Sequence, residues 1–109
     1  MLALPGISVA QCLPKNSSQN EAEIEHLRDS LRKQPGDPVL LYNLAADYAT
    51  ECDQATTLAF LRQASQGSGG LDPSAYRGFA FLHDTSEFQA IVADIRRKNP
   101  LAFKAKQSL

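Results

Sequence analysis

The apolar residues of the chain recur at helical spacing rather than at strand spacing. Between residues 19 and 34, for example, Ile24, Leu27 and Leu31 fall on one stripe of a helix, and Ser18 and Glu21 have the spacing of a capping box. No segment shows the strict alternation of apolar and polar residues that indicates a half-buried strand. The pattern predicts five helices, over residues 19–34, 38–51, 54–66, 73–82 and 85–98.

Cap residues mark where these helices begin. The Asp37-Pro38 and Asp72-Pro73 pairs each place a carboxylate at the N-cap and a proline at the first helical position, where a missing N–H is no loss. Asp53 is a third acidic N-cap candidate, and Asp84 is followed by Glu87 at capping-box spacing. With the glycine-rich break at residues 67–70, these signals predict an all-α domain of about five helices in antiparallel hairpins.

The second predicted helix has the broadest apolar surface. Residues Leu41, Leu44, Ala45 and Tyr48 share one face, and Val39, Leu40 and Tyr42 widen the arc beyond what a lone surface helix needs. This breadth predicts packing on two sides. The other predicted inward residues are Leu58, Leu61 and Ala64 in the third helix, Tyr76, Phe79 and Leu82 in the fourth, and Phe88, Ile91, Val92 and Ile95 in the fifth.

The second and third predicted helices together resemble one tetratricopeptide (TPR) repeat. The resemblance is carried by large apolar, small and aromatic residues at the family's spacing, which are Leu41, Leu44, Ala45, Tyr48, Thr57, Leu61 and Ala64. The same register moved back by 34 residues, the length of this repeat, places Leu27, Ser30 and Pro35 in the matching slots. The resemblance implies hairpins stacked into a short right-handed α-solenoid over residues 19–100.

Several positions depart from the family pattern. Leu41 stands where tryptophan is commonest, Thr57 replaces the usual alanine, and Gly69 falls where the closing proline belongs. One repeat further on, Gly78 and Phe79 occupy the leucine and small-residue slots. The last two predicted helices are therefore expected to form a degenerate capping hairpin.

A TPR-like fold implies a non-catalytic interaction or scaffold module. An array of fewer than three repeats leaves an apolar side uncovered, because each hairpin buries only its neighbours' faces. The side chains expected to face a protein or peptide partner are Leu40, Tyr42, Asn43 and Asp47 of the second helix. A second copy of the chain could also cover this side, giving a dimer.

Residues 69–100 are also similar to a segment of exported bacterial TPR-like proteins. In some of those proteins the chain continues after an Asn-Pro pair into a gluconolactonase-type β-propeller, and Asn99-Pro100 stands at the equivalent place here. This resemblance implies an alternative role as an accessory or stabilising domain of an exported multidomain hydrolase.

The ends of the chain bear on its location. Residues 1–18 have an apolar start with small Ser8 and Ala10, which resembles either a truncated secretory signal or an N-terminal arm, and residues 101–109 form a basic tail. Cys12 and Cys52 could form one disulfide in an exported chain or remain free thiols in a cytosolic one. A periplasmic or secreted location is favoured, with the cytoplasm as the alternative.

Candidate chemistry is sparse. The His83-Asp84 pair beside Ser86 is better explained by helix-end and capping roles than by a base and a nucleophile, and His26 is expected at the surface. The cysteine spacing does not suit a metal, and the glycine run lacks the features of a phosphate-binding loop. With a net charge of -1 and no apolar run near 18 residues, the sequence predicts no enzyme activity, cofactor, nucleic-acid partner or membrane span.

Overall fold

The structure, a computed structural model, describes residues 12–15, 17–66 and 71–98. The signal-like residues 1–11, the predicted break at 67–70 and the tail at 101–109 lie outside these ranges. The described residues form four α-helices, α1 (Ser18–Lys33), α2 (Pro38–Thr50), α3 (Gln54–Ser65) and α4 (Ser86–Lys98), and two 3-10 helices, Pro73–Ala75 and Arg77–Leu82. None of these residues is in a strand, which confirms the all-α prediction.

The first two helices begin close to the predicted positions. The N-cap of α1 is Ser17 rather than Ser18, and its hydroxyl accepts a hydrogen bond of 3.0 Å from the Asn20 amide. Asp37 caps α2 as predicted, because its carboxylate accepts from the amides of Val39 and Leu40. Each cap satisfies N–H groups that the first helical turn leaves without an intrahelical partner.

The junction between α2 and α3 contains no spare residue. The Cys52 amide donates to the Ala49 carbonyl at 2.9 Å, and the Asp53 amide donates to the Tyr48 carbonyl at 3.1 Å. These two bonds form a Schellman motif, in which Cys52, at φ 58°, occupies the left-handed position that usually holds glycine. Asp53 then caps α3, since its side chain accepts from the Thr56 amide at 3.2 Å. Asp53 therefore takes part both in the C-terminal motif of α2 and in the N-cap of α3.

The predicted α-helix over residues 73–82 is wrong in type. Asp72 caps a turn as expected, but the backbone is extended at Tyr76 (φ -85°, ψ 122°), which divides the segment into the two 3-10 helices. Gly78 has a low helix propensity, and the Tyr76 ring lies where a side chain at Gly78 would stand. The apolar spacing of Phe79 and Leu82 is kept nevertheless, and both residues are fully buried.

Helix α4 begins one residue later than predicted, and its N-cap is shifted by one residue as well. Thr85, not Asp84, caps α4, because the Thr85 hydroxyl accepts from the Phe88 amide at 3.2 Å. The same hydroxyl donates to the Leu82 carbonyl at 2.7 Å, so Thr85 also satisfies the last carbonyl of the second 3-10 helix. Glu87, expected to complete a capping box, instead forms an ion pair with Arg62 of α3.

One hydrophobic core holds the helices together. The contact between α2 and α3 is the most extensive, followed by that between α1 and α2, while α4 packs on α3 and the second 3-10 helix packs on α2. The predicted inward faces of α2 and α4 are confirmed, apart from the half-buried Tyr48. The core residues are Ile24, Leu27, Leu41, Leu44, Ala45, Ala49, Leu58, Phe60, Leu61, Ala64, Phe79, Leu82, Phe88, Ile91, Val92 and Ile95.

Two aromatic residues depart from the expected burial. Phe60 is buried although it does not fall on the predicted inward stripe of α3, and its ring stacks on that of Tyr48 with centroids 5.7 Å apart. Tyr76, expected to face inward, is 39% exposed. The guanidinium of Arg28 donates to the Tyr48 hydroxyl and lies over both the Tyr48 and Phe60 rings, which links α1 to the α2–α3 pair.

Candidate functional site

The packing of α2 leaves one stripe of this helix accessible. With 100° between successive residues, Val39, Asn43, Ala46 and Thr50 fall on the side opposite buried Leu41 and Ala45. Val39 is 50% exposed, Asn43 is exposed, and Ala46 and Thr50 are half-buried. We call these four residues the open face of α2. Its side chains are short, and none of them is charged.

An aromatic group forms the first edge of the open face. Tyr42 is half-buried, its ring meeting Phe79 at a centroid distance of 5.6 Å and Tyr76 at 6.3 Å. Burial, with the neighbouring Tyr76 and Asp72 as smaller causes, raises the pKa of the Tyr42 hydroxyl. Tyr76 exposes part of its ring beside Tyr42, so this edge offers apolar aromatic surface.

Acidic groups form the second edge, where α1 meets α2. Burial is the main cause that raises the pKa of Asp47 to about 6, with the charge and hydrogen bond of Glu23 and the charge of Glu51 adding to it. One oxygen of Asp47 is buried without a hydrogen-bond partner. The side-chain amide of Asn20 donates to the backbone carbonyl of Asp47 and to the Glu51 carboxylate, both at 3.2 Å. Leu40 lies on the same side, half-buried against the core.

The N-terminal arm meets the open face at its C-terminal end. We use this name for residues 12–15. Cys12 and Cys52, for which the sequence leaves a disulfide or two free thiols open, lie at disulfide-bonding distance with Cα atoms 5.9 Å apart. The Lys15 amide donates to the Thr50 carbonyl at 2.9 Å. The arm therefore lies across the last turn of α2, beside the second 3-10 helix.

The four predicted partner-facing residues do not occupy equivalent places. Asn43 lies in the middle of the open face, whereas Leu40 and Asp47 lie at one edge and Tyr42 at the other, all three half-buried. The sequence reasoning did not assign Val39 and Ala46 to this surface. Their spacing of four and three residues from Asn43 places them on the same stripe, and a helical wheel centred on Leu41 and Ala45 would have identified them.

The histidines occupy the structural positions expected of them. His83 follows the second 3-10 helix, where its amide bonds the Ala80 carbonyl and its ring stacks on Phe88 at 5.1 Å. It borders a cleft of about 330 Å³ that Ser74 and Arg96 also line. Arg96 donates to Asp72 at 3.1 Å and to Ser74 at 2.9 Å. His26 is exposed on α1.

Within the ranges that the structure describes, no group of three or more histidine, cysteine, aspartate or glutamate residues is placed to hold a metal ion. The helices of the same ranges include none with the length and apolarity that a bilayer crossing requires. No protein-family model matches the chain, and no curated protein or solved structure matches it either.

Proposed function

We propose that this domain is a non-catalytic, TPR-like interaction module that binds a peptide segment of another protein along the open face of α2. The observation that carries the proposal is the exposure of Val39 and Asn43 on a helix that three other elements otherwise bury. Val39 offers apolar contact, while the Asn43 amide can donate to and accept from a peptide backbone.

The arrangement of the helices supports the comparison with TPR hairpins. The second 3-10 helix lies against α2 and α4 lies against α3, so a second, shorter hairpin is placed beside the α2–α3 hairpin. The aromatic contact of Phe79 with Tyr42 lies between the two hairpins, and the contact of Phe79 with Phe88 lies within the second one. A stack of this kind presents the first helix of each hairpin on a common side, which places Tyr76 next to the open face.

The edges of the open face indicate the chemistry of the partner. The acidic edge contains Glu23, Asp47 and Glu51, and the opposite edge is aromatic. A fitting peptide carries small or branched apolar anchors for the Val39–Asn43 stripe and a lysine or arginine on one flank. The flanking charge contributes mainly to association rate and orientation, because exposed ion pairs add little affinity.

A peptide-display selection against the immobilised oxidised protein tests the proposal. We expect selected peptides with the described pattern to shift the backbone resonances of Val39, Asn43 and Ala46 in NMR titrations. Val39→Asp is expected to weaken the affinity about tenfold or more, since it introduces a charge beneath an apolar anchor. Ala59→Asp adds the same charge at an exposed alanine of α3 and serves as the matched control.

Two results would contradict the proposal. In the first, the library yields no binder, or the shifts map to a surface away from α2. In the second, sedimentation shows a dimer that Val39→Asp dissociates, in which case the open face is a contact between copies of the chain rather than a peptide site.

A further inference from the structure

Two bonds hold the N-terminal arm at the end of α2. One joins the sulfurs of Cys12 and Cys52, and the other is the hydrogen bond from the Lys15 amide to the Thr50 carbonyl. The Cys12 sulfur also lies 3.7 Å from the Ala49 carbonyl oxygen. We propose that these attachments act as a redox-sensitive clasp: thiol reduction of the Cys12–Cys52 bond releases the arm and uncovers the last turn of α2, which carries Thr50 at the end of the open face. This inference rests on the proposed function, since it concerns regulation of the same surface.

The arm rests loosely on the surface beneath it. A cleft of about 320 Å³ separates the arm from the second 3-10 helix, and its lining includes Ala49, Thr50 and Phe81 together with Cys12 and Leu13. Leu13 is 78% exposed, so it contributes little apolar burial. Because a single backbone hydrogen bond contributes little net stability, the covalent bond is the principal restraint on the arm.

Release of the arm would change the end of the open face in two ways. The Thr50 carbonyl would lose the Lys15 amide and become an acceptor for an incoming backbone N–H. The apolar surface around Ala49 and half-buried Phe81, now bordered by the arm, would become continuous with Ala46. A peptide could then contact the last turn of α2 without displacing the arm.

A thiol reductant can reach the bond between Cys12 and Cys52, and thiol–disulfide exchange with it balances in atoms and electrons. Cys12 and Cys52 are both half-buried, and Cys12 lines the cleft. A reductant thiolate attacks the Cys12 sulfur, the bond to Cys52 breaks, and Cys52 leaves as a thiolate that takes up a proton. A second reductant thiol attacks the mixed disulfide and releases the Cys12 thiol. Two electrons pass to the protein, and the reductant ends as its own disulfide.

The α2–α3 junction does not depend on the cysteine bond. The Cys52 and Asp53 amides keep their bonds to the Ala49 and Tyr48 carbonyls, and the Asp53 side chain still caps α3. Cys52 holds a left-handed conformation, and glycine suits this conformation without a steric penalty. Cys12→Ser/Cys52→Gly is therefore a variant in which the arm is free while the junction is retained.

Amide hydrogen exchange measured by NMR, with and without dithiothreitol, tests the clasp without any partner. We expect reduction to accelerate exchange of the Lys15 amide about tenfold or more, as local opening does, while Leu44 and Leu61 keep their protection. In Cys12→Ser/Cys52→Gly the Lys15 amide should exchange fast in both conditions, which controls for other effects of the reductant. An unchanged Lys15 rate, or loss of protection at Leu44 and Leu61 as well, would overturn the inference.

The selected peptides supply a second readout. Their affinity is expected to change between oxidised and reduced protein and to be insensitive to dithiothreitol in Cys12→Ser/Cys52→Gly. Equal affinity for both forms, together with a released arm, would show that the arm does not control binding and would also overturn the inference. If the selection yields no peptide, the proposed function is contradicted independently of the clasp. Amide hydrogen exchange alone then decides whether reduction releases the arm.

Discussion

Two segments of the chain begin with the same pair of residues and fold differently. Asp37-Pro38 starts the 13-residue helix α2, whereas Asp72-Pro73 starts a 3-10 helix of three residues. In both cases the aspartate accepts a hydrogen bond from the amide two residues ahead, at 2.9 Å. The two caps thus share their first hydrogen bond, and the residues that follow it decide how far the helix continues.

The residues after each proline explain the difference. Leucines and alanines, which have high helix propensity, occupy most of the interior of α2. The second segment has Ser74, Tyr76 and Gly78 instead, and Tyr76 turns the backbone to an extended conformation. Arg96 of α4 also binds Asp72 and Ser74, which fixes the first 3-10 turn against another helix. A start signal therefore predicts where a helix begins but not its length.

The largest expected effect tests whether the 3-10 segment contributes as much to the stability of the core as α2 does. Leu44 and Phe79 are both fully buried. Leu44→Ala is expected to lower the free energy of unfolding by about 3 kcal/mol, and Phe79→Ala by about 3 to 5 kcal/mol, because each leaves a cavity. Urea denaturation followed by circular dichroism measures both. A loss below about 1 kcal/mol for Phe79→Ala would show that the 3-10 segment contributes little to the stability of the core.

The next effect concerns the bond between Cys12 and Cys52, which ties the N-terminal arm to the end of α2. Cys12→Ser/Cys52→Ser removes a bond that closes a loop of 40 residues, and we expect a loss of about 2 to 4 kcal/mol. Cys12→Ser/Cys52→Gly should be more stable than this variant by about 1 kcal/mol, because glycine relieves the left-handed position. Equal unfolding free energies for the two variants would argue against steric cost at Cys52.

A carboxylate at the start of the 3-10 segment should stabilise the fold at neutral pH. Burial opposes ionisation of Asp72, but hydrogen bonds from Ser74 and from Arg96 outweigh it and lower the pKa. Asp72→Asn is expected to cost about 1 kcal/mol at pH 7. Because a lowered pKa stabilises the fold only while the carboxyl is ionised, the cost of Asp72→Asn should begin to shrink as the pH falls below about 4 and should disappear once the pH is below the lowered pKa. A cost that does not change between pH 7 and the acid limit of folding would contradict this account.

The smallest expected effect has the opposite sign and lies at the end of α2. The raised pKa of Asp47 means that its ionisation disfavours the fold, so the wild type should lose stability as the pH rises from about 4 to about 6. Asp47→Asn is expected to be more stable than wild type by roughly 0.5 to 1 kcal/mol at pH 8, after allowing for solvent screening. The two should be similar at pH 4. Thermal unfolding of both proteins between pH 4 and pH 8 measures how this difference in stability grows with pH.

The apolar period predicted much of the fold. It identified the inward faces of α2 and α4, and the side-chain chemistry of Asp37 and Asp53 identified two true N-caps. The 3-10 segment could not be found in this way, since Phe79 and Leu82 keep a helical spacing even though the backbone between them and Pro73 is broken. The caps at Ser17 and Thr85 each lie one residue from the predicted positions, where equally suitable side chains stand side by side.

The candidate site was less predictable than the fold. The sequence indicated that α2 has more apolar surface than one neighbour can cover, but which stripe remains accessible depends on where α1 and the 3-10 segment pack. Tyr42 is drawn against Phe79, and Asp47 is drawn against Glu23, and neither contact follows from spacing along α2. The cysteine pairing also depends on tertiary structure, because it requires the arm to lie across the end of α2.

The absence of any spare residue between α2 and α3 has a consequence for protein engineering. The backbone at Cys52 and Asp53 ends one helix, caps the next and carries the attachment of the arm. Inserting a single residue there would displace the C-terminal motif of α2, the N-cap of α3 and the Cys52 sulfur at the same time. The Gln34–Asp37 turn between α1 and α2, with exposed Pro35 and Gly36, carries no such combination of duties. Loop grafts, tags or a split of the chain into two fragments are therefore better placed at Gly36 than at the α2–α3 junction.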